Sequence, residues 1–180
     1  RIHFLYLGRI MKEKGIDELF YAVRHLKKEN ENFVLDLVGF FEDEYKEQVK
    51  ELEKHSIAHF YGFQSDPRPF YIEADCVVLP SYHEGMSNVL LEAAATGRPV
   101  VTSNIPGCRE SVENGKSGLL VEVKNKEMLY DAMKEMLHCS REEREQMGQA
   151  GREKMEREFR KEVVVEKTVQ SLRGDEKRDF

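Results

Sequence analysis

Short apolar runs alternate with amphipathic stretches along most of the chain. Residues 2–7 form an apolar run that stops at Gly8, the mark of a buried strand. Leu19, Phe20, Val23 and Leu26 then recur at three- and four-residue steps, which predicts a helix capped by Asp17. A second strand is expected over 33–38, ending at Gly39, and a charged surface helix with a thin apolar stripe (Val49, Leu52) over 42–55. A weaker third strand covers 57–61 and ends at Gly62; a short helix at 69–74 leads to a fourth strand at 76–79. Residues 88–95 read as a mostly apolar helix, 99–103 as a fifth strand, 108–114 as a short helix stopped by Gly115, and 118–123 as a sixth strand. Residues 126–137 are amphipathic through Met128, Leu129, Ala132, Met133, Met136 and Leu137, a core-facing stripe. Ser140 caps a long charged helix to about residue 159, a last helix spans 161–172, and residues 173–180 form a frayed polar tail.

Strands and helices alternating at this spacing predict an α/β fold: a Rossmann-like parallel sheet of about six strands with helices on both faces, as one domain over 1–172. Its crossovers should be right-handed, and ligands bind beyond the C-terminal ends of its strands. Gly8, Gly39, Gly62 and the loop at 81–87 all fall at such ends, so the site is expected there.

The balance of 28 Lys+Arg against 34 Asp+Glu gives a net charge of −6 and argues against general nucleic-acid binding, which needs a basic surface. Three cysteines, Cys76, Cys108 and Cys139, supply neither a disulfide framework nor zinc spacing, which fits a cytoplasmic setting. Cys76 reads as a buried small hydrophobe, and Cys108 as structural. No histidine–carboxylate cluster has metal spacing, so no metal site is expected. No signal peptide and no membrane-length apolar stretch is visible. The chain opens at Arg1 directly on its first strand, as a piece of a longer protein would, and the missing part can carry a membrane anchor.

The densest chemistry lies in His83-Glu84-Gly85-Met86-Ser87-Asn88-Val89-Leu90-Leu91-Glu92, where two carboxylates with seven residues between them flank a polar turn that opens a helix. A helix N-terminus attracts phosphate through unpaired N–H groups and the positive end of its dipole. Glu92 stands in an otherwise apolar helix, where a lone carboxylate needs a partner; ribose hydroxyls would serve. Gly8-Arg9-Ile10-Met11-Lys12-Glu13-Lys14-Gly15 is either a diphosphate clamp or a solvated turn; it has neither P-loop nor dinucleotide-turn spacing. The aromatics of His59-Phe60-Tyr61-Gly62-Phe63 can stack on a base or pack in the core. Gly107 in Ile105-Pro106-Gly107-Cys108-Arg109-Glu110 allows close backbone approach, and Arg109 could add charge, though an ordinary structural loop is the favoured reading.

With these residues in view, the chain resembles the C-terminal, donor-binding domain of retaining glycosyltransferases of GT-B architecture (group 1, family 4). The resemblance rests on the Glu-x7-Glu signature at Glu84 and Glu92 and on the Gly-Arg…Lys-Gly opening. Ala-Asp-x4-Pro-Ser, Glu-Ala-x-Ala-x-Gly-x-Pro-Val-Val and the later Glu-Ser-Val…Gly-Leu-Leu-Val pattern also carry it. It runs from Gly8 to about residue 159. It implies that Arg9 and Lys14 grip a donor diphosphate and that Glu84 lies against the donor sugar as a positioning group rather than a nucleophile. Gly85, Met86, Ser87, Asn88 and Val89 would present the turn and helix start to sugar and phosphate. Glu92 would bind ribose, and Tyr61, Gly62 and Phe63 would lie at the base. Arg9, Lys14 and Glu84 thus form the expected catalytic set.

The same resemblance implies retention at the anomeric carbon, a nucleotide diphosphate sugar donor (UDP by preference), and no cofactor or metal. The acceptor, a glycan or lipid-linked sugar, would be held by an N-terminal domain absent here, so the isolated chain should transfer little sugar. Peripheral association of the full-length protein with the inner face of a membrane fits such an acceptor. A sugar-nucleotide epimerase of the same architecture and a non-catalytic α/β interaction module are the alternative readings.

Overall fold

The computed structural model describes residues 1–176, with side chains through residue 158. In chain order the elements are β1 (Ile2–Leu7), α1 (Ile16–Lys28), β2 (Phe33–Val38), α2 (Lys46–Lys54), β3 (Ala58–Gly62), α3 (Arg68–Glu73) and β4 (Cys76–Leu79). Then follow α4 (Asn88–Ala95), β5 (Val100–Ser103), β6 (Gly118–Val121), α5 (Lys126–His138) and α6 (Arg141–Glu176). The strands form one sheet in the order β3-β2-β1-β4-β5-β6, every neighbouring pair parallel. This is a Rossmann-like α/β sheet, as the alternation predicts.

β2, β4 and β5 are buried along their whole length, as strands covered on both faces must be. Strand order runs one way from β1 to β3 and the other way from β4 to β6, so right-handed crossovers place α1 and α4 on opposite faces. α1 packs against α5, and α4 against α6. The apolar stripes do this work: Leu19, Phe20, Val23 and Leu26 on α1 and Leu129, Met133 and Met136 on α5 are buried. Between β1 and β4 the order reverses, which opens the crevice where open α/β sheets bind ligands.

Several local expectations change. Gly15, at φ 72°, is the residue before α1, which starts at Ile16 because that side chain is fully buried. Asp17 therefore lies inside the first turn, where it accepts a hydrogen bond from Tyr45 Oη at 3.0 Å. The short helix expected at 108–114 is only a 3-10 turn, Arg109–Ser111, because the chain is already extended at Val112. Ser140 does cap α6: Glu143 N donates to Ser140 Oγ at 3.1 Å, and Ser140 N donates to Glu143 Oε2 at 2.7 Å, a reciprocal capping box. The two closing helices are one, Arg141–Glu176, since no glycine or proline interrupts residues 152–173. The helix covers the first part of the tail expected to fray; residues 177–180 and the apolar face of 161–172 lie outside the described residues and side chains.

α6 crosses the end of α4 at very short range. A Cβ placed on Gly148 would stand 1.8 Å from Gly97 O, whereas one on Gly151 would meet Ser117 Cβ at 3.5 Å, an ordinary contact. Both glycines lie in helix, where alanine is favoured over glycine by about 1 kcal/mol. Gly148→Ala is expected to lower the thermal midpoint, because overpacking costs about 1–3 kcal/mol, while Gly151→Ala should raise or preserve it. Thermal denaturation of both variants checks the helix crossing; equal midpoints would refute it.

Candidate functional site

The segment leaving β1 begins at Gly8 and returns through a 3-10 turn, Lys12–Lys14, to Gly15. Tyr6, fully buried in β1, donates its phenol to Arg9 O at 2.6 Å and pins the start of this loop. Burial, with Glu84 nearby, pushes that phenol far above its ordinary value, so it stays a neutral donor. At the far end, a Cβ on Gly15 would lie 2.0 Å from Pro80 O, so only glycine lets this loop touch the end of β4. Tyr82 N donates to Glu13 O at 2.8 Å, and Tyr82 Oη reaches both Glu18 oxygens at 2.8 Å. Two segments some seventy residues apart in sequence are thereby held edge to edge.

This approach brings Lys14 to Glu84. Lys14 Nζ lies 2.5 Å from Glu84 Oε1, and Ser81 Oγ donates to the same oxygen at 2.8 Å. Both partners are largely sheltered, at 27% and 13% side-chain exposure. Glu84 Oε2 makes no protein hydrogen bond among the described residues.

A third segment closes the turn from below. A Cβ on Gly107 would lie 1.9 Å from Gly85 O and 2.5 Å from Glu84 O, and Gly107, at φ 89°, is in a region that favours glycine. Ser87 N donates to Gly107 O at 3.4 Å, while Gly107 N donates to Glu110 Oε2 at 2.8 Å. Ser87 is the N-cap of α4, its Oγ accepting from Leu90 N at 3.3 Å. The amides of Asn88 and Val89 donate to no protein group among the described residues, as expected in the first turn of a helix.

Three recesses surround this junction. One, of about 420 Å³, is lined by Glu84, Gly85, Met86 and Ser87 together with Gly107 and Glu110. A second, of about 480 Å³, lies at the ends of β1, β2 and β3 and is lined by Gly8, Arg9, Gly39, Phe40, Phe63 and Gln64. A third, of about 610 Å³, runs along α4 and includes Asn88 and Glu92, with Met155 of α6.

The sequence-predicted residues thus fall on one rim but not in one pocket. Lys14 and Glu84 are in contact. Arg9 is 64% exposed, its guanidinium 3.6 Å from Glu42. Val89 lends its main-chain oxygen to Tyr71 Oη at 3.4 Å. Phe63 lines the second recess; Tyr61 and Gly62 do not, and the Tyr61 ring packs edge-on against Phe70 at 4.9 Å. His83 and Arg109 are exposed and line none of the three recesses.

One expectation is corrected. Glu92 is exposed rather than sequestered among apolar neighbours, and it has a protein partner: Tyr71 Oη donates to Glu92 Oε2 at 2.8 Å. Tyr71 is buried, and that burial together with Glu92 pushes its phenol far up, keeping it a donor. Glu92 escapes burial because Leu90, Ala93 and Ala94 carry the packed face of α4. Tyr71, Ser81 and Phe40 are contributors that sequence reasoning missed. Tyr71 lay in the short helix expected at 69–74, Ser81 at the start of the 81–87 loop, and Phe40 just past the second strand, with nothing local to mark any of them.

Cys76 and Cys108 are fully buried, with burial raising both thiols, so they are inert packing groups. No group of three or more His, Cys, Asp or Glu side chains among the described residues is arranged to hold a metal ion. No helix among them is long and apolar enough to cross a membrane.

Comparison with known proteins agrees with the geometry. The family described as Glycosyl transferases group 1 matches residues 1–154. The chain is 30% identical over 164 residues to the capsular polysaccharide biosynthesis glycosyltransferase CapM of Staphylococcus aureus, covering 89% of this chain and 43% of that protein. It superimposes on the sucrose-phosphate synthase of Thermosynechococcus elongatus with a TM-score of 0.81 at 26% identity, over 96% of this chain and 45% of that one. The Anabaena protein HepE, solved in complex with UDP, shares the fold with a TM-score of 0.78 at 21% identity, over 95% and 49% of the two chains. The chain spans about half the length of the relatives it matches. A parallel sheet with its crevice at β1 and β4, and a family match over nearly the whole described length, lead to one conclusion: the chain belongs to the group 1 glycosyltransferases, of GT-B architecture.

Proposed function

We propose that this chain is the donor-binding half of a retaining glycosyltransferase, which moves a hexose-type sugar from a nucleotide diphosphate sugar to a glycan or lipid-linked acceptor. The observation that carries the reading is the meeting of the Gly8–Gly15 loop with the Glu84 turn at the β1/β4 crevice, joined by Lys14 and Glu84 at 2.5 Å. A basic loop and a helix N-terminus on one side of a crevice suit a diphosphate; a half-free carboxylate beside them suits a sugar hydroxyl.

In this reading Arg9, Lys14 and the first-turn amides of Asn88 and Val89 take the diphosphate, and they stabilise the charge that builds on it as the anomeric C–O bond breaks. Glu84 positions the donor sugar through Oε2. Glu92, oriented by Tyr71, accepts from the ribose hydroxyls along α4, and the base rests near Phe63. These residues supply the charge stabilisation without a metal. UDP is the preferred donor nucleotide, consistent with HepE's being solved with UDP. Arg9, Lys14 and Glu84 are the residues assigned to the reaction, with the acceptor and the remaining groups supplied by an N-terminal domain, and the full-length protein working at the cytoplasmic face of a membrane.

Three outcomes follow. Calorimetric titration with UDP, GDP and ADP in the presence of chelator should give micromolar-to-millimolar binding of one of them, roughly −8 to −4 kcal/mol. Arg9→Ala and Glu92→Ala should each weaken it about tenfold or more, one factor of ten being about 1.4 kcal/mol. A folded chain indifferent to all three nucleotides would remove the donor-site reading.

Diphosphate must also compete with Glu84 for Lys14. Glu84→Gln frees the lysine, so UDP without a sugar should bind about two- to fivefold more tightly, on the scale of one ion pair. Weaker UDP binding by this variant would show that the pair assists the nucleotide instead. Finally, the isolated chain, incubated with UDP-sugar and a glycan acceptor, should release no transfer product; appreciable transfer would sink the division of labour.

A further inference from the structure

A fourth recess, of about 400 Å³, lies at the opposite edge of the sheet, where β1, β4 and β5 begin. A strand of six residues spans about 20 Å, so this edge is remote from the loops that carry Lys14 and Glu84. Arg98, in the turn before β5, lines it together with Arg141 and Arg144 from the first turn of α6. Arg144 is only 8% exposed, and its Nε is buried with no hydrogen-bond partner among the described residues. Its Nη1 is spent on the main-chain oxygens of Met136 and Cys139 at the end of α5. Arg98 is partly buried and its Nε is orphaned in the same way. Its guanidinium makes neither a hydrogen bond nor an ion pair among the described residues. Sheltered polar groups without acceptors are costly, and most of those in folded proteins find one.

The carboxylates of the recess do not supply it. Glu145 is paired with Arg141 at 2.8 Å. Asp75 accepts from His3 N through Oδ2 at 2.8 Å, and its Oδ1 stands 4.0 Å from Arg144 Nε, beyond hydrogen-bond distance. Glu73 lines the recess but bonds neither arginine. Arg1, also at the rim, donates to Phe33 O and Ser56 O, so Arg98 is the cation left over.

We infer that this recess is a binding site for a phosphate group, inorganic or carried by a small metabolite, with Arg98 as its principal ligand and Arg144 as the second. The site stands apart from the donor pocket and does not depend on the donor-site reading. A guanidinium matches phosphate oxygens bidentately. A tetrahedral anion presents oxygens in more than one plane, so it can serve two guanidinium groups on different elements, as a flat carboxylate cannot. The first turn of α6 borders the recess with the positive end of its dipole. The backbone is already held in place: Arg98 N donates to Ala93 O at 2.9 Å, and Gly97 O lies directly under Gly148 of α6. A phosphate shared by Arg98 and Arg144 therefore ties the turn before β5 to the start of α6. The volume falls within the range of about 300–1,000 Å³ usual for small-molecule sites.

The test is calorimetric titration of the chain, of Arg98→Gln and of Arg9→Ala with inorganic phosphate and with glucose 6-phosphate, at constant ionic strength, with thermal melting of each sample. The unsubstituted chain and Arg9→Ala are expected to bind alike, with a Kd of about 1 mM or tighter, and Arg98→Gln about tenfold more weakly or worse. The bound anion should raise the thermal midpoint, and Arg98→Gln should lose that rise. Without phosphate, Arg98→Gln should melt no lower than the unsubstituted chain, because the charge it removes has no protein partner. Glucose 6-phosphate binding more tightly than inorganic phosphate would assign the site to a phosphate ester; equal affinities would assign it to the phosphate group alone. An unsubstituted chain that binds neither probe overturns the inference. So does Arg98→Gln binding as tightly as the unsubstituted chain. Binding abolished in Arg9→Ala would place the phosphate in the donor crevice instead. A midpoint of Arg98→Gln well below that of the unsubstituted chain in phosphate-free buffer would show that Arg98 is a structural partner of the recess's own carboxylates, and the inference would fall.

Discussion

Backbone packed directly on backbone is the constraint on which the rim depends. The Gly8–Gly15 loop touches the end of β4 where Gly15 meets Pro80 O, and the Glu84 turn rests on the loop after β5 where Gly107 meets Gly85 O. Side chains at those positions would drive the three segments apart by a bond length or more. Main-chain hydrogen bonds from Tyr82 to Glu13 and from Ser87 to Gly107 then lock the approach. Rigid backbone contacts of this kind hold functional side chains more closely than flexible side-chain packing would.

With the segments held, electrostatics arranges the rest. Glu84 is divided: Oε1 is taken by Lys14 and Ser81, and Oε2 makes no hydrogen bond among the described residues. The lysine is sheltered and ion-paired, and the carboxylate is oriented by Lys14 and Ser81. Arg9, loosely paired to Glu42, is the more exposed cation of the two. Buried tyrosines set the second layer. Tyr6 holds the Arg9 backbone and Tyr71 holds the Glu92 carboxylate, each kept protonated by burial. The sheet contributes what its order dictates, a crevice between β1 and β4 into which the loops project.

The fold itself was legible along the chain, because strand and helix periods differ and because glycine stops at Gly8, Gly39 and Gly62 mark strand ends. What local pattern misjudged were positions decided by contacts elsewhere. Asp17 resembles a cap, but burial of Ile16 starts α1 earlier. Residues 108–114 were expected to form a short helix, yet Val112 is drawn into extended backbone after one turn. The run through residues 152–173 carries no breaker, and a single helix forms where two were expected.

In the site, the charged residues were legible by type and spacing: a basic glycine-bounded loop, and two glutamates with seven residues between them around a polar turn. The chain alone thus determined which groups bear the chemistry and which strand ends carry them, because both follow from local composition and periodicity. Only the tertiary structure decided their partners. Glu92 looked hemmed in by apolar neighbours, but α4 leaves it exposed, with Tyr71 Oη donating to it. Phe40 drew no reading from its local sequence, and the fold leaves it exposed and stacked on Phe63. Lys14 meets Glu84 although 70 positions separate them, because such pairings depend on how distant segments pack, which no local window of sequence contains.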